Sequence, residues 1–234
     1  MRNLWKMFAG SFTLIRRDPM LVLLLGVPWL AGALLGLGVP ALTPLVRNAF
    51  NVDITPYYPL VDMLLLMLTP MIAGMLSGFL MLDERDQGVG TYYTVTPLGG
   101  AGYYASRLGL PVLYSIVMAP LLMVVFSLSD PPLWRVLCIA LIGGVFASAN
   151  ALLLMAFAGN KVEGLAVAKM VNIVMLPIFI PFFTDSPWGM IGGFFPAYWM
   201  GALMTGPALL IIPGLVISGV WLWALYRRTI RHAA

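Results

Sequence analysis

Few residues in this chain could make or break bonds, and they are scattered. The one histidine, His232, lies in the carboxyl-terminal tail, and the one cysteine, Cys138, lies inside an apolar run. The stretch Gly74-Met75-Leu76-Ser77-Gly78 has the outline of a nucleophile motif. A serine nucleophile needs a neighbouring base, and no histidine lies in any apolar run. Two glycines at this spacing are more typical of a face on which helices pack closely.

The residues that other catalytic or cofactor sites require are also missing from this sequence. A metal site needs His, Cys, Asp or Glu side chains that converge on one point, and the sequence predicts no such convergence. A nucleotide site of the common kind needs a Gly-rich loop ending in Gly-Lys-Ser or Gly-Lys-Thr, which is also missing. The sequence therefore predicts no catalytic residue, no metal and no cofactor, and no ATP hydrolysis by this chain itself.

The densest group of charges is Asp83-Glu84-Arg85-Asp86, which follows directly on an apolar run. Gly88 and Gly90 come next and permit a sharp change of direction. A short amphipathic stretch follows and is stopped at Thr96-Pro97. Such a polar elbow could dock a protein partner through ion pairs. A solvated loop with a charged membrane anchor is the alternative, and composition alone leaves both open.

Long uncharged runs must position this elbow. The chain is 61% hydrophobic and 9% charged, with a mean hydropathy of +0.96, which excludes a water-soluble globule. A helix needs roughly 20 apolar residues to cross the bilayer, and several runs are that long. We expect an all-α integral membrane protein with one domain over residues 1–234. Its six transmembrane helices are predicted at about residues 20–46, 60–82, 108–128, 133–159, 165–184 and 206–226.

The basic residues predict the orientation. With six spans, all but two of the thirteen Lys and Arg residues lie on one side, and only Arg47 and Arg135 lie on the other. Because basic residues concentrate in cytoplasmic loops, both termini are predicted to be cytoplasmic. The net charge of +4 follows from this bias and does not indicate nucleic-acid binding, since no basic cluster is interleaved with exposed aromatics.

Two further segments are predicted to lie at the membrane without crossing it. Residues 1–18 repeat apolar side chains at helical spacing, which is typical of an amphipathic helix on the inner membrane surface. Residues 186–204 are rich in Pro, Gly, Trp and Tyr, which favours an outer interfacial or re-entrant segment before the sixth span. The remaining large feature is the cytoplasmic loop over residues 83–107.

Several of these stretches together resemble the type-2 permeases of ABC transporters. The main resemblance is residues 82–88, Leu-Asp-Glu-Arg-Asp-Gln-Gly, followed by residues 94–98, Thr-Val-Thr-Pro-Leu. Arg17-Asp18-Pro19 resembles the family's amino-terminal connector, residues 160–166 with Lys169 resemble its inner loop before the fifth helix, and residues 195–199 resemble its outer segment. The chain is most similar to the bacterial drug-export branch, the fluoroquinolone-type export permeases. Gly90-Thr91 departs from the bulkier helix formers of many relatives.

The resemblance implies specific partners and a site. Two copies of a separate ABC ATPase subunit would bind ATP and Mg and power transport, and a second permease, identical or different, would complete the pathway. Residues 83–98 would form the coupling helix that contacts the ATPase in the bacterial cell (inner) membrane. The residues implied in this contact are Glu84, Arg85, Asp86, Gly88, Thr96 and Pro97 from the coupling helix, and Lys161 and Glu163 from the short inner loop.

Weaker signals concern the pathway of the exported molecule, which would be hydrophobic or amphipathic. Met67, Met71 and Met75 recur at four-residue spacing, and flexible methionines can repack around varied ligands, although ordinary core or lipid-facing Met is the alternative. Asp62 could attract a cationic substrate or be a plain interfacial acid. Asn172 could bind the solute or form a bond between helices.

Two other classes of function compete with an ATP-driven exporter. A secondary transporter normally carries ionisable residues near the middle of the membrane and paired broken helices, and the sequence shows neither clearly. A non-transporting membrane scaffold could share this hydropathy but would not need the polar elbow. Co-purification with an ATPase would separate the scaffold from the exporter, and the energy source would separate the two kinds of transporter.

Overall fold

The uncharged runs fold as helices in the computed structural model, which describes residues 19–88, 99–184 and 187–233. The α-helices are α1 (Pro19–Phe50), α2 (Tyr58–Asp86), α3 (Gly99–Phe126), α4 (Leu133–Phe157), α5 (Lys161–Met175), α6 (Ile180–Phe183), α7 (Pro196–Thr205) and α8 (Ile211–Ala233). Short 3-10 helices lie at Thr55–Tyr57, Leu176–Phe179, Pro187–Phe194 and Ala208–Leu210. The predicted interfacial helix at residues 1–18 lies outside the described residues.

Within the described residues, six helical segments are long and apolar enough to cross a membrane. They correspond to α1, α2, α3, α4, the continuous segment from α5 to α6, and α8. The predicted six-span, all-helical fold is therefore confirmed. The chain is a multi-pass membrane protein.

The boundaries around the predicted cytoplasmic loop differ from those expected. Helix α2 continues through Asp86, so the charged residues 83–86 form its last turn instead of a separate elbow. Gly88 has φ +70°, a conformation that glycine adopts freely, and the chain changes direction there as expected. At the other end α3 already begins at Gly99, whereas Leu108 was the predicted start. Residues 89–98, which complete the predicted coupling helix, lie outside the described residues.

Helices α2 and α4 form the centre of the bundle because small residues let their backbones approach. A Cβ atom at Gly74 would lie 2.7 Å from the carbonyl oxygen of Ala147. One helical turn further along α2, a Cβ atom at Gly78 would lie 3.0 Å from a side-chain carbon of Leu154 and 3.4 Å from the Cα of Ala151. The predicted packing role of the two glycines is confirmed, and it is favoured over the nucleophile interpretation of Ser77.

Proline residues interrupt the helical hydrogen bonds of α2 and α3, and nearby hydroxyls replace the missing donors. Pro70 has no N–H for the carbonyl of Leu66, and the Thr69 hydroxyl donates to that oxygen at 3.0 Å. Pro111 likewise leaves the carbonyl of Arg107 without its helical donor, and this oxygen accepts from another helix at 2.6 Å. The donor is Ser77 on α2, so the repair also links two helices.

The outer segment before the last span is packed into the bundle. Helix α7 has ten residues, about half the length needed to cross a bilayer. Its residues Ala197, Met200 and Leu203 are completely buried, which favours the re-entrant alternative over a helix lying flat at the interface. Arg135 at the start of α4 donates to the carbonyl of Met204 at 2.9 Å and so holds the end of α7.

Replacing Gly74 by Ala tests the close packing of α2 and α4. The added methyl group would overlap a backbone oxygen that cannot turn away, so we expect Gly74→Ala to lower the free energy of unfolding by about 1–3 kcal/mol. Denaturant unfolding in detergent micelles measures this loss. Gly38→Ala is the matched control, because no atom lies within 4 Å of a Cβ at that position of α1. Equal stability of the two variants would contradict the packing assignment.

Candidate functional site

Most of the residues predicted to contact a partner converge at one end of the bundle. The last turn of α2 meets the start of α3, the end of α4 and the start of α5 there. We call this group the charged junction; it consists of residues 83–86, Tyr103, Arg107 and residues 160–163. Its polar side chains come from parts of the sequence up to about 80 positions apart. Four successive residues of α2 each make a different contact in it.

Glu84 points into the bundle and is buried, with 5% of its surface exposed. Its carboxylate forms an ion pair with the guanidinium of Arg107, whose Nε also donates to Oε2 at 3.0 Å. The Tyr103 hydroxyl donates to the same oxygen at 3.0 Å. The expectation that Glu84 itself faces a partner subunit does not fit this burial. Its partners are on α3, one helical turn apart.

Arg85 caps the end of α4. Its Nη1 donates to the carbonyl of Met155 at 3.1 Å, and its Nη2 donates to the carbonyl of Ala158. The last carbonyls of a helix have no partner within the helix, and the helix dipole makes that end negative. A guanidinium therefore satisfies both the hydrogen bonds and the charge. Arg85 ties α2 to α4 while remaining partly accessible to solvent.

Asp83 and Asp86 meet the start of α5 at the surface. The backbone N–H of Lys161 donates to the carboxylate of Asp86 at 3.1 Å, which satisfies one of the free donors at that helix start. Nζ of Lys161 lies 3.8 Å from the carboxylate of Asp83. About a third of the lysine side chain and 41% of the aspartate side chain are exposed, so this ion pair contributes at most about 1 kcal/mol.

The short loop before α5 is closed by its own side chains. Asn160 is the N-cap, and its side-chain oxygen accepts from the backbone N–H of Glu163 at 2.9 Å. The Glu163 carboxylate in turn accepts from the backbone N–H of Gly159 at 2.6 Å. This reciprocal arrangement is close to a capping box and holds Lys161 and Glu163 in place beside the last turn of α2.

The structure thus brings together five of the eight residues predicted for the partner contact: Glu84, Arg85, Asp86, Lys161 and Glu163. Gly88 follows two positions after α2. Thr96 and Pro97 lie outside the described residues. The role of all eight in coupling stays a prediction.

Sequence reasoning missed Arg107 and Tyr103 as members of the site. Arg107 was counted only as an inner basic residue, although 2% of its surface is exposed. The signal in the sequence was a single charged residue at the start of an apolar stretch. Burial of such a charge requires an opposite charge beside it. Tyr103 lies four positions earlier and therefore on the same helical face.

Asp62, which was weakly assigned to the substrate pathway, is completely buried at the opposite end of α2. Its carboxylate accepts from the backbone N–H groups of Leu128 and Ser129 at 2.9 and 2.8 Å, and from the hydroxyls of Ser127 and Ser129 at 3.1 and 2.5 Å. These four bonds hold the turn between α3 and α4. The geometry favours the structural alternative for Asp62.

The other candidate pathway residues lie on partly exposed faces. Met67, Met71 and Met75 are half-buried on α2 and pack against the core. Asn172 is exposed on α5, on the same face as Lys169, which is also exposed. The same helix exposes apolar residues such as Leu165 and Ile173, so its outer surface is mixed. Polar side chains within spans rarely face lipid.

Comparison with known proteins agrees with this architecture. A sequence profile of the family described as "Fluoroquinolones export permease protein Rv2686c-like" matches residues 11–226. The chain belongs to this family. The match covers the charged junction, five of the six candidate spans completely and most of the sixth, since it ends at residue 226 within α8.

Two curated relatives from Mycobacterium tuberculosis support the assignment. The chain is 30% identical over 224 residues to the fluoroquinolones export permease protein Rv2686c of strain ATCC 25618 / H37Rv. The same values apply to the fluoroquinolones export permease protein MT2760 of strain CDC 1551 / Oshkosh. The alignments cover 91% of this chain and 88% of each relative. No solved structure matches this chain.

Removing the buried cation of the charged junction should weaken the fold strongly. Arg107→Met leaves the Glu84 carboxylate buried without its counter-charge, so we expect the free energy of unfolding to fall by about 3–5 kcal/mol. Asp83→Asn is the control, because it removes a charge only from the exposed ion pair and should cost at most about 1 kcal/mol. Unfolding in micelles measures both variants. A loss of similar size in the two would show that burial does not distinguish these ion pairs.

Proposed function

We propose that this chain is the membrane-spanning subunit of an ATP-driven exporter that works with a separate ATPase subunit. The observation that carries the proposal is the family match over residues 11–226, which includes every element of the charged junction. Relatives matched over nearly their whole length are named for the export of fluoroquinolones. The exported molecule would accordingly be a hydrophobic or amphipathic drug, or a molecule of similar chemistry.

The charged junction is the proposed contact for the ATPase. Asp86 and Lys161 present charge at the surface, and Glu163 lies beside them. Residues 87–98 follow α2 in the sequence and would carry the rest of the coupling helix, with Thr96-Pro97 at its end. Glu84 would act from behind this surface through Arg107, since its carboxylate is buried. ATP and Mg would be held by two copies of the partner, and this chain would transmit the motion that they generate.

The proposed orientation places the charged junction in the cytoplasm of a bacterial cell, with the permease in its inner membrane and both termini on the cytoplasmic side. The distribution of described basic residues supports it. Arg47 and Arg135 lie at the opposite end of the bundle, at the end of α1 and the start of α4. The basic residues near the charged junction are Arg85, Arg107, Lys161, Arg227 and Arg228. This excess is the pattern of cytoplasmic loops.

The exposed face of α5 is proposed to meet a second permease subunit and to line the pathway with it. Lys169 lies about 12 Å along the helix from Lys161, and Asn172 lies one turn further. Helix α5 also exposes apolar side chains such as Leu165 and Ile173, whereas the outward face of α8 within its span presents apolar residues such as Val216 and Val220, as expected for contact with lipid. Half-buried Met67, Met71 and Met75 on α2 would adapt to solutes of varied shape.

The energy source tests the proposed function directly. In cells that express this permease with the ATPase that co-purifies with it, efflux of a fluoroquinolone should continue when an ionophore collapses the proton gradient. Efflux should stop when ATP is depleted, because the partner supplies the driving force. The reverse dependence would identify a secondary transporter. Unchanged drug accumulation in the presence and absence of the chain, with no ATPase co-purifying, would favour the scaffold.

The pathway face of α5 can be tested by removing its amide. We expect Asn172→Leu to raise the apparent KM for fluoroquinolone export about fivefold, the effect of losing one hydrogen bond to a solute, while leaving the stability of the permease unchanged. Transport into vesicles measures the KM. Val220→Leu on α8 is the control, because this exposed residue lies on an apolar face. An equal KM in both variants would place Asn172 outside the pathway.

A further inference from the structure

The proposed coupling segment lies in the sequence between α2, which ends at Asp86, and α3, which begins at Gly99. Glu84 lies in the last turn of α2 and Arg107 in the third turn of α3, and their side chains form the buried ion pair. The two helices are therefore joined close to the ends from which the proposed coupling segment continues.

Three groups make this joint, and each is shielded from water. Glu84, Tyr103 and Arg107 are 5%, 8% and 2% exposed. Both donors come from one face of α3, and both reach the same carboxylate oxygen at 3.0 Å. Hydrogen bonds between charged groups are stronger and geometrically stricter than neutral ones, and low polarity around them strengthens them further. A water-shielded joint of this kind resists rotation of one helix against the other.

The remaining links between α2 and α3 continue this joint along both helices. The Ser77 hydroxyl donates to the carbonyl of Arg107 at 2.6 Å, one level deeper in the bundle. At the far end of α2, Asp62 holds the backbone N–H groups that follow α3. Side-chain hydrogen bonds therefore link α2 to α3, or to the residues directly after α3, at both ends of α2 and between them.

We infer that Glu84, Arg107 and Tyr103 form a clasp that makes α2 and α3 move as one body when the coupling segment is displaced. They are positioning residues, because they act through the helices that they join. The inference rests on the proposed function. An intact clasp converts displacement of residues 87–98 into rotation of the helix pair. A loosened clasp lets the segment move while the helices stay behind, so ATP is hydrolysed without export.

The ratio of ATP hydrolysed to drug exported separates this role from a purely structural one. A variant that is merely less stable loses active protein, which lowers both rates together and leaves their ratio unchanged. A variant with a loosened clasp raises the ratio. Glu84→Gln keeps the shape and some hydrogen bonds of the side chain but removes its charge, and Tyr103→Phe removes only one hydroxyl.

The experiment reconstitutes the permease with its ATPase in vesicles and measures both rates with a fluoroquinolone as substrate. We expect Glu84→Gln and Tyr103→Phe to raise the ratio about fivefold, the factor that corresponds to one lost buried hydrogen bond. Asp53→Asn, in the exposed turn at the opposite end of the bundle, is the control and should leave the ratio unchanged. The double exchange Glu84→Arg with Arg107→Glu should restore part of the coupling that either single exchange removes.

The outcomes distinguish the two proposals. If the unaltered permease exports the drug with ATP but the Glu84→Gln and Tyr103→Phe ratios equal that of Asp53→Asn, the clasp is overturned and the exporter remains. If the unaltered permease shows no ATP-dependent export, the proposed function fails and the clasp has no motion to transmit. A raised ratio in both variants, with melting temperatures close to that of the unaltered permease, supports the clasp.

Discussion

The structure depends on the last turn of α2, where four successive charged residues each satisfy a different part of the bundle. Glu84 neutralises the buried guanidinium of Arg107, Arg85 closes the end of α4, and Asp86 caps the start of α5. A charge or a helix end beside hydrocarbon is costly when unpaired, so each contact stabilises two elements at once. The same turn carries the chain into the proposed coupling segment, which places structural and functional demands on the same residues.

Packing in the middle of the bundle follows a different constraint, because lipid gives no hydrophobic driving force between helices. Close approach has to supply the attraction, and Gly74 and Gly78 provide it by letting α2 reach the backbone of α4. Proline residues would break these helices in isolation. The hydroxyls of Thr69 and Ser77 donate to the carbonyls that Pro70 and Pro111 leave free, so these two acceptors keep a hydrogen bond.

The outer helices α5 and α8 differ in the polar side chains that they expose within their spans. Helix α8 exposes apolar residues such as Val216 and Val220, whereas α5 exposes Lys169 and Asn172 beside apolar residues such as Ile173. In the proposed assembly, a second permease would give these two polar side chains a polar setting. The proposed ATPase would act on α2 and α3 from the end that carries the charged junction.

The amino-acid sequence by itself determined the membrane class, the six spans and the segregation of basic residues, because length, hydropathy and charge act locally along the chain. It also indicated the Gly74 packing face and the turn at Gly88. Only the tertiary structure decided which way each polar side chain points. Glu84 was predicted at a surface and is buried against Arg107, a partner 23 positions away in the sequence. Asp62 is enclosed by a turn more than sixty positions away. Such pairs depend on how each helix is rotated about its axis, which local pattern does not specify.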